Sequence, residues 1–223
     1  MGMVLYPCEV HAMAATPASQ ASVNELRYPA GSLVLLSGLP GAGKSTLLER
    51  LYDLTGEETQ PVIATGGVRV IDSRQARKRW EEVLRPLPSR LQTPFVHTTH
   101  TWRVIRAVLR GHTVVAHTRG TWPHLLYGFA WLARRAHGEM HLIMLDVEPA
   151  TARAGQHARG RVIARVSFAR HCRRWETLMK RARAGSMPPA ASVTVLSRPA
   201  AAQVRAIRFD PPASAAEESG SRR

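Results

Sequence analysis

The segment LVLLSGLPGAGKSTLLERL, residues 33–51, constrains the fold more than any other part of the chain. An apolar run leads into a glycine-rich bend, and the bend leads through Lys44 into a second apolar run. The residues from Gly38 to Ser45 fit the pattern G-x-x-x-x-G-K-[ST], which lies here between a predicted strand and a predicted helix. Glycines at such a bend let backbone N–H groups turn inward, and the following helix adds the positive end of its dipole. The segment therefore predicts a P-loop that holds the phosphates of a nucleoside triphosphate.

The residues of this loop have distinct predicted roles. Lys44 can reach the β- and γ-phosphates, the Ser45 hydroxyl can join the shell of a Mg²⁺ ion, and Thr46 can support the α-phosphate. Mg²⁺ is therefore expected with the nucleotide, because it commonly binds phosphate oxygens together with few protein ligands. The predicted nucleotide contacts in the loop are Gly38, Pro40, Gly41, Ala42, Gly43, Lys44, Ser45 and Thr46.

Short apolar runs alternate with helical patterns along the rest of the chain. The runs mostly lack alternation of apolar and polar residues, as expected for strands that are buried on both faces. Such alternation of strands and helices predicts a three-layer α/β/α P-loop fold with a mainly parallel, five-stranded sheet. The candidate strands are Leu33–Ser37, Val68–Ile71, Thr113–Ala116, His141–Leu145 and Ser192–Leu196.

Two of the predicted helices have apolar stripes that should face the sheet. In HTTHTWRVIRAVLR the stripe is predicted to comprise Trp102, Ile105, Val108 and Leu109. In the helix from about Val166 to Arg183 the stripe comprises Phe168, Cys172, Trp175, Leu178 and Met179, with arginines on the other face.

The ends of the chain differ in composition from its middle. Residues 1–24 are rich in Ala, Ser, Thr and Pro, and residues 211–223 read PPASAAEESGSRR, so both ends are predicted to be disordered tails around a domain at 25–210. No apolar run approaches the ~18 residues that cross a bilayer, and no secretory signal pattern is present. With only two cysteines, the chain is expected to be a cytoplasmic protein without a disulfide framework.

The net charge of +15 predicts an acidic partner. Lysine and arginine together number 31, and only Lys44, Lys78 and Lys180 are lysines. Two explanations stay open: a high-GC coding composition that enriches arginine, or a phosphate-rich ligand matched by guanidinium forks. The sequence does not reveal the oligomeric state.

Absent motifs narrow the class of P-loop protein. The chain has neither an LSGGQ-like signature, as ABC-type ATPases do, nor the N-K-x-D motif with which GTPases read guanine. Its short length and a late arginine-rich segment favour the kinases of nucleotides and small molecules.

That late segment, LDVEPATARAGQHARGRVIARVSFARHCRRW, carries a family resemblance. Together with GLPGAGKST, the strand ending MLDVEP and the run RGRVI, it resembles the zeta-toxin and polynucleotide-kinase-like group of P-loop kinases, AAA-type ATP-binding proteins, over about residues 32–209. The resemblance implies ATP as the nucleotide and a helical, arginine-rich lid at about 150–184. It implies that Arg159 meets the β- and γ-phosphates with Arg161 beside it, while Arg153 and Arg165 are weaker candidates. A solvated basic helix face remains the alternative.

Asp146 follows the fourth predicted strand. A carboxylate at this point can organise Mg²⁺ through water or cap the next helix, and both roles stay open.

The segment VRVIDSRQARKRW departs from the family pattern. Kinases of this group usually carry an aspartate base three residues before an arginine that faces the substrate. Arg77 matches the arginine, but Arg74 stands three residues before it, and Asp72 lies two residues earlier. Asp72 can serve as the base if the loop shifts. His117, after the third predicted strand, is either a proton acceptor or a structural histidine.

Three functions stay open from the sequence. The first is a kinase that transfers the ATP γ-phosphate to a small molecule or a nucleic-acid end, with Lys44, Asp72, Arg77 and Arg159 as catalytic residues and Ser45 and Asp146 as metal ligands. The second is an ATP-binding regulatory protein with a degraded catalytic centre. The third is a nucleic-acid-binding protein that uses ATP as a switch, although no known nucleic-acid module is recognisable. The acceptor is unidentified, and the arginines suggest that it is anionic.

Overall fold

A computed structural model describes residues 24–118, 123–160, 162–185 and 189–210. Apart from residue 24, the two predicted tails lie outside these ranges, as does Arg161. The described strands are β1 (Glu25–Pro29), β2 (Leu33–Gly38), β3 (Val62–Ile63), β4 (Arg69–Ile71), β5 (Val114–His117), β6 (Met140–Asp146), β7 (Ser192–Ser197) and β8 (Ala206–Asp210).

Six of these strands form the central sheet in the order β3-β4-β5-β2-β6-β7. Every pairing in it is parallel except that of β3 with β4. The mainly parallel sheet and all five predicted strands are confirmed, but the predicted strand number is wrong. The sixth strand, β3, is two residues long and antiparallel, too short to leave a periodic pattern in the sequence.

The middle of the sheet is completely enclosed. All six residues of β2 are buried, as are the first six of β6, which explains why both strands read as nearly continuous apolar runs. A separate pair, β1 with β8, joins the two ends of the domain in parallel register from Glu25 opposite Ala206 to Pro29 opposite Asp210. This pair was not predicted from the sequence.

The described helices are α1 (Lys44–Tyr52), α2 (Ser73–Trp80), α3 (Ser89–Leu109), α4 (Pro123–Arg135), α5 (Pro149–His157), α6 (Arg165–Arg183) and α7 (Arg198–Gln203). The crossover from β2 to β4 runs toward the β3 edge of the sheet. The crossovers from β4 to β5 and from β5 to β6 run in the opposite direction, toward the β7 edge. Because crossovers between parallel strands are right-handed, α1 and the pair α3–α4 lie on opposite faces of the sheet. None of the described helices is both long and apolar enough to cross a bilayer.

The buried faces of two helices test the predicted stripes. On α6, Phe168, Trp175, Leu178 and Met179 are buried as predicted, and Cys172 is half-buried. On α3 the prediction is half wrong, because Val108 is buried and Ile105 packs against the core as predicted, but Trp102 and Leu109 are 59% and 55% exposed. The buried face of α3 extends from Val108 through Val104 and His100 to Val96, four residues apart, with a histidine within the stripe.

Candidate active site

The P-loop joins the end of β2 at Gly38 to the start of α1 at Lys44. Gly41 and Gly43 adopt left-handed backbone conformations with φ of 92° and 97°, which a side chain would strain. Lys44 is 6% exposed, and its ammonium group donates to the carbonyl oxygens of Gly38 at 2.8 Å and Leu39 at 2.9 Å. The loop therefore has the bend, the helix start and the cation of a phosphate cradle.

Asp72 lies at the carboxyl end of β4 and begins α2. Its side chain accepts a hydrogen bond from the backbone N–H of Arg74 at 2.8 Å, and the Gln75 side chain accepts one from the Asp72 backbone at 3.1 Å. Such a reciprocal cap fixes the carboxylate at the edge of the sheet. Asp72 is 3% exposed.

The carboxylate of Asp72 meets residues from two neighbouring elements. The Nδ1 atom of His117, at the end of β5, lies 3.2 Å from Asp72 Oδ1, and the Ser45 hydroxyl of α1 also bonds to the carboxylate. Burial alone would raise the pKa of Asp72. The hydrogen bond and charge of His117, the Arg74 backbone N–H and the Ser45 hydroxyl outweigh burial and hold the pKa well below its ordinary value. Asp72 therefore stays ionised next to the P-loop.

Arg74 and Arg77 follow on α2. Arg74, at the position where the family pattern has its base, forms an ion pair with Glu49 of α1. Its guanidinium also lies against Gly56, where a Cβ atom would approach the Arg74 side chain to 2.6 Å. Arg77 is half-buried and faces the same cavity as the P-loop.

A single cavity of about 670 Å³ extends from the P-loop to α3 and α4. Its described lining includes four cationic side chains, those of Lys44, Arg74, Arg77 and Arg159, and no carboxylate. This charge distribution suits polyanionic phosphates, so the residues present fit a bound nucleotide. Further polar lining residues on α3, on α4 and at the end of β5 are His97, His100, Thr101, His117, Thr118 and His124.

The segment predicted to be a lid contacts the P-loop directly. The guanidinium of Arg159, just after α5, donates to the hydroxyl of Thr46. Gln156 is 4% exposed and donates from Nε2 to the carbonyl oxygen of Pro40 at 2.9 Å, while its Oε1 accepts from the backbone N–H of Ile163 at 3.0 Å. Gln156 thus ties the P-loop to the arginine-rich segment. Sequence reasoning missed it, because a glutamine inside a helix carries no spacing signal.

A family model described as an AAA domain matches residues 33–185. The chain belongs to this AAA domain family. No protein with a curated description shows significant similarity to it. Together with the P-loop geometry, the family match identifies a P-loop nucleotide-binding protein and confirms the AAA-type resemblance.

Several solved structures are similar to this AAA domain. A chain from a study of the PezAT toxin–antitoxin system of Streptococcus pneumoniae is 15% identical, with a TM-score of 0.45, over 61% of this chain and 55% of its own length. This chain therefore spans only about half of that relative. A gluconokinase from Sinorhizobium meliloti is 13% identical, with a TM-score of 0.40 over 80% of this chain and 90% of its own. A tunicamycin resistance protein of Deinococcus radiodurans is 11% identical, with a TM-score of 0.42 over 70% and 84%.

Asp146, the acidic residue predicted to help hold Mg²⁺, is not among the described residues that line the cavity. Asp146 is at the end of β6, and its Oδ2 accepts a hydrogen bond from Arg183 of α6 at 2.7 Å. Asp72 is instead the carboxylate that contacts Ser45 in the AAA domain. Within the ranges given above, no group of three or more His, Cys, Asp or Glu side chains is suited to a metal ion. A divalent ion at Ser45 would therefore depend on phosphate oxygens and water for most of its shell.

Proposed function

We propose that the protein transfers the γ-phosphoryl group of ATP to a hydroxyl of a small anionic acceptor, with Mg²⁺ as the cofactor. The observation that carries the proposal is the continuous cavity of about 670 Å³, which reaches from the P-loop to the wall formed by α3 and α4. A nucleotide seated on the P-loop would leave part of this cavity for a second substrate. The cations in the lining favour negative charge on both ligands.

The nucleotide end of the reaction depends on Lys44, Ser45 and Arg159. Lys44 would exchange the loop carbonyl oxygens for the β- and γ-phosphates, and Arg159, which already reaches Thr46, would counter the charge that builds up on the phosphoryl oxygens. Mg²⁺ beside Ser45 would supply further positive charge to the phosphates. Asp146 remains a proposed outer ligand through water, and for that role it would have to leave Arg183.

The acceptor end depends on Asp72, His117 and Arg77. A carboxylate with a lowered pKa takes up a proton poorly, so Asp72 serves better to orient its neighbours than to act as the base itself. In its neutral form His117, which donates its Nδ1–H to Asp72, is then the group that takes the acceptor hydroxyl proton. Arg77, in the same cavity, attracts the anionic part of the acceptor.

To test the proposal, the protein is incubated with γ-³²P-labelled ATP, Mg²⁺ and a pool of metabolites and nucleic-acid ends, and the products that carry the label are identified. We expect label in an organic acceptor. Asp72→Asn keeps the helix cap, because asparagine caps as well as aspartate, yet it should lower transfer by about 10²–10⁴-fold. Asp53→Asn is the matched control, since Asp53 is exposed at the end of α1. Label that appears only as free phosphate would overturn the proposal.

One observation favours a second function, an ATP-binding regulatory protein with a degraded centre. Arg74 occupies the usual base position and is held by Glu49. In that case no acceptor takes label, and Asp72→Asn behaves as the wild-type protein does.

A further inference from the structure

His100 lies on α3, at the wall of the cavity that also contains the P-loop. The residue is 8% exposed, and its Nε2 atom lies 2.7 Å from the backbone carbonyl oxygen of His117. A carbonyl oxygen can only accept a hydrogen bond, so Nε2 carries the proton and donates. This contact fixes the tautomer of a neutral ring and leaves Nδ1 as an acceptor.

Burial keeps this ring neutral. Desolvation, helped by the neighbouring His117 ring, lowers the pKa of His100 to about 4, although the bond to the His117 carbonyl and the charge of Asp72 act in the opposite direction. At neutral pH the Nδ1 atom therefore carries a lone pair and no proton.

The Nδ1 atom of His100 is buried and has no hydrogen-bond partner among the residues that the structure describes. Buried polar atoms without a partner are rare in folded proteins, because each one destabilises the fold. Here the ring lines the cavity, so a ligand that turns the ring slightly on binding can provide the missing donor.

The surroundings of His100 indicate which ligand. Its ring centroid lies 6.1 Å from that of His117, and His117 in turn contacts Asp72, which reaches the P-loop serine. His100 is thus on the acceptor side of the phosphate cradle. Buried Val96 and Val104 lie one helical turn to either side of it, and Phe129 of α4 lines the same cavity.

We propose that His100 Nδ1 accepts a hydrogen bond from a hydroxyl of the phosphoryl acceptor, and that this acceptor is a compact polyol with an anionic group. The apolar wall suits the C–H face of such a molecule, and Arg77 suits its charge. The identification of this ligand as a phosphoryl acceptor rests on the proposed kinase function, but the hydroxyl-binding site can be tested separately.

The first test needs no phosphoryl transfer. Full-length protein labelled with ¹⁵N-histidine is mixed with a non-hydrolysable ATP analogue, Mg²⁺ and, in turn, D-glycerate, sn-glycerol 3-phosphate or D-ribose 5-phosphate. Long-range ¹H–¹⁵N spectra report both ring nitrogens, and His100→Gln identifies the signals by their loss. We expect a proton on Nε2 alone in the free protein and a shift of Nδ1 with at least one probe. A proton on Nδ1 in the free protein, or an Nδ1 signal that no probe moves, overturns the inference.

The second test compares two substitutions that split the functions of the ring. His100→Gln keeps an amide donor near Nε2 but removes the acceptor at Nδ1, whereas His100→Asn keeps a polar atom near Nδ1. With the probe that takes label, His100→Gln should raise KM for the probe about 10-fold and change KM for ATP less. His100→Asn should raise KM for the probe by a smaller factor than His100→Gln does. His112→Gln, outside the cavity, is the matched control. A wild-type KM for the probe in His100→Gln overturns the inference.

The two tests separate the two proposals. Label in a probe with an unmoved Nδ1 signal upholds the kinase and overturns the role of His100. A moved Nδ1 signal without label in any probe upholds the hydroxyl-binding site and overturns the kinase assignment.

Discussion

Gly155 of α5 packs directly on the backbone of Gly41 in the P-loop, so closely that a Cβ atom at Gly155 would lie 2.5 Å from the carbonyl oxygen of Gly41. In the other direction, a Cβ atom at Gly41 would collide with the carbonyl oxygen of Ala152 on the same helix. The helix that leads into the arginine-rich segment is therefore a direct support of the phosphate cradle, and Gln156 adds a hydrogen bond between the two.

The first prediction is that Gly155→Ala weakens both the fold and nucleotide binding. The methyl group must push α5 away from Gly41, an overpacking that destabilises folded proteins by about 1–3 kcal/mol. Gly128→Ala is the matched control, because Gly128 lies in α4 with no atom near its missing Cβ. The control should gain about 0.5–1 kcal/mol from helix propensity. Urea unfolding measures the stability of both variants, and equal midpoints for the two would contradict the predicted contact.

The second prediction concerns Lys44, whose ammonium group now bonds to the carbonyl oxygens of Gly38 and Leu39. Lys44→Ala removes the charge that the phosphates would meet, and hydrogen bonds to charged groups contribute about 1.5–3 kcal/mol each. Binding of ATP with Mg²⁺ should weaken by about 10- to 100-fold in calorimetry. Lys78→Ala, which loses only exposed ion pairs with Glu57 and Glu81, should bind as the wild type does. Undiminished affinity in Lys44→Ala would remove the basis of the nucleotide site.

The sequence predicted the parts of the fold that depend on local patterns. Residues 33–38 and 140–146 are nearly continuous apolar runs because the strands are enclosed on both faces. The pair β1–β8 was missed although ELRYP has the alternating burial of a half-exposed strand. Its partner lies about 180 residues away, so only tertiary contacts decide that the pair forms.

The candidate site was predictable to a similar extent. The P-loop pattern identified the cradle, and the carboxyl ends of parallel strands bring Asp72 and His117 to one edge. The buried face of α3 was not predictable from apolar periodicity, because a polar residue, His100, occupies the buried stripe while Trp102 is exposed. A histidine is accommodated there through its hydrogen bond to the His117 carbonyl, which no local pattern reveals.

The third prediction is that Arg159 acts on the rate of phosphoryl transfer. An arginine that counters the charge of the transition state contributes about 10³–10⁵-fold to kcat, so Arg159→Ala should lose transfer by a factor of this order. Arg153→Ala is the control from the same segment. Arg153 stacks over Phe168 at 5.6 Å, so its loss should affect stability by about 0.5–1 kcal/mol and the rate little. Equal rates for the two variants would assign Arg159 to a solvated surface.

The fourth prediction concerns His141, a buried histidine in β6 and outside the cavity. The residue is 4% exposed, with Nδ1 at 2.8 Å from the Ser192 hydroxyl and Nε2 at 3.3 Å from that of Ser32. Desolvation lowers the pKa of His141 to about 4, and the Glu139 carboxylate at 3.6 Å is 58% exposed and too solvated to offset burial. The folded chain therefore holds this imidazole neutral where the unfolded chain takes up a proton, near pH ~6.5.

Between pH ~6.5 and the lowered pKa, the unfolded state binds more protons, so the free energy of unfolding falls as the pH falls, by at most about 1.4 kcal/mol per pH unit from this group. His100, whose pKa is lowered in the same way, adds to the same slope. Urea unfolding at about pH 7 and about pH 5 should show a shallower dependence for His141→Gln than for the wild type. His112→Gln, at a half-buried loop position, is the control and should keep the wild-type slope. If His141→Gln also keeps the wild-type slope, the His141 imidazole is not a group that takes up a proton on unfolding at acidic pH.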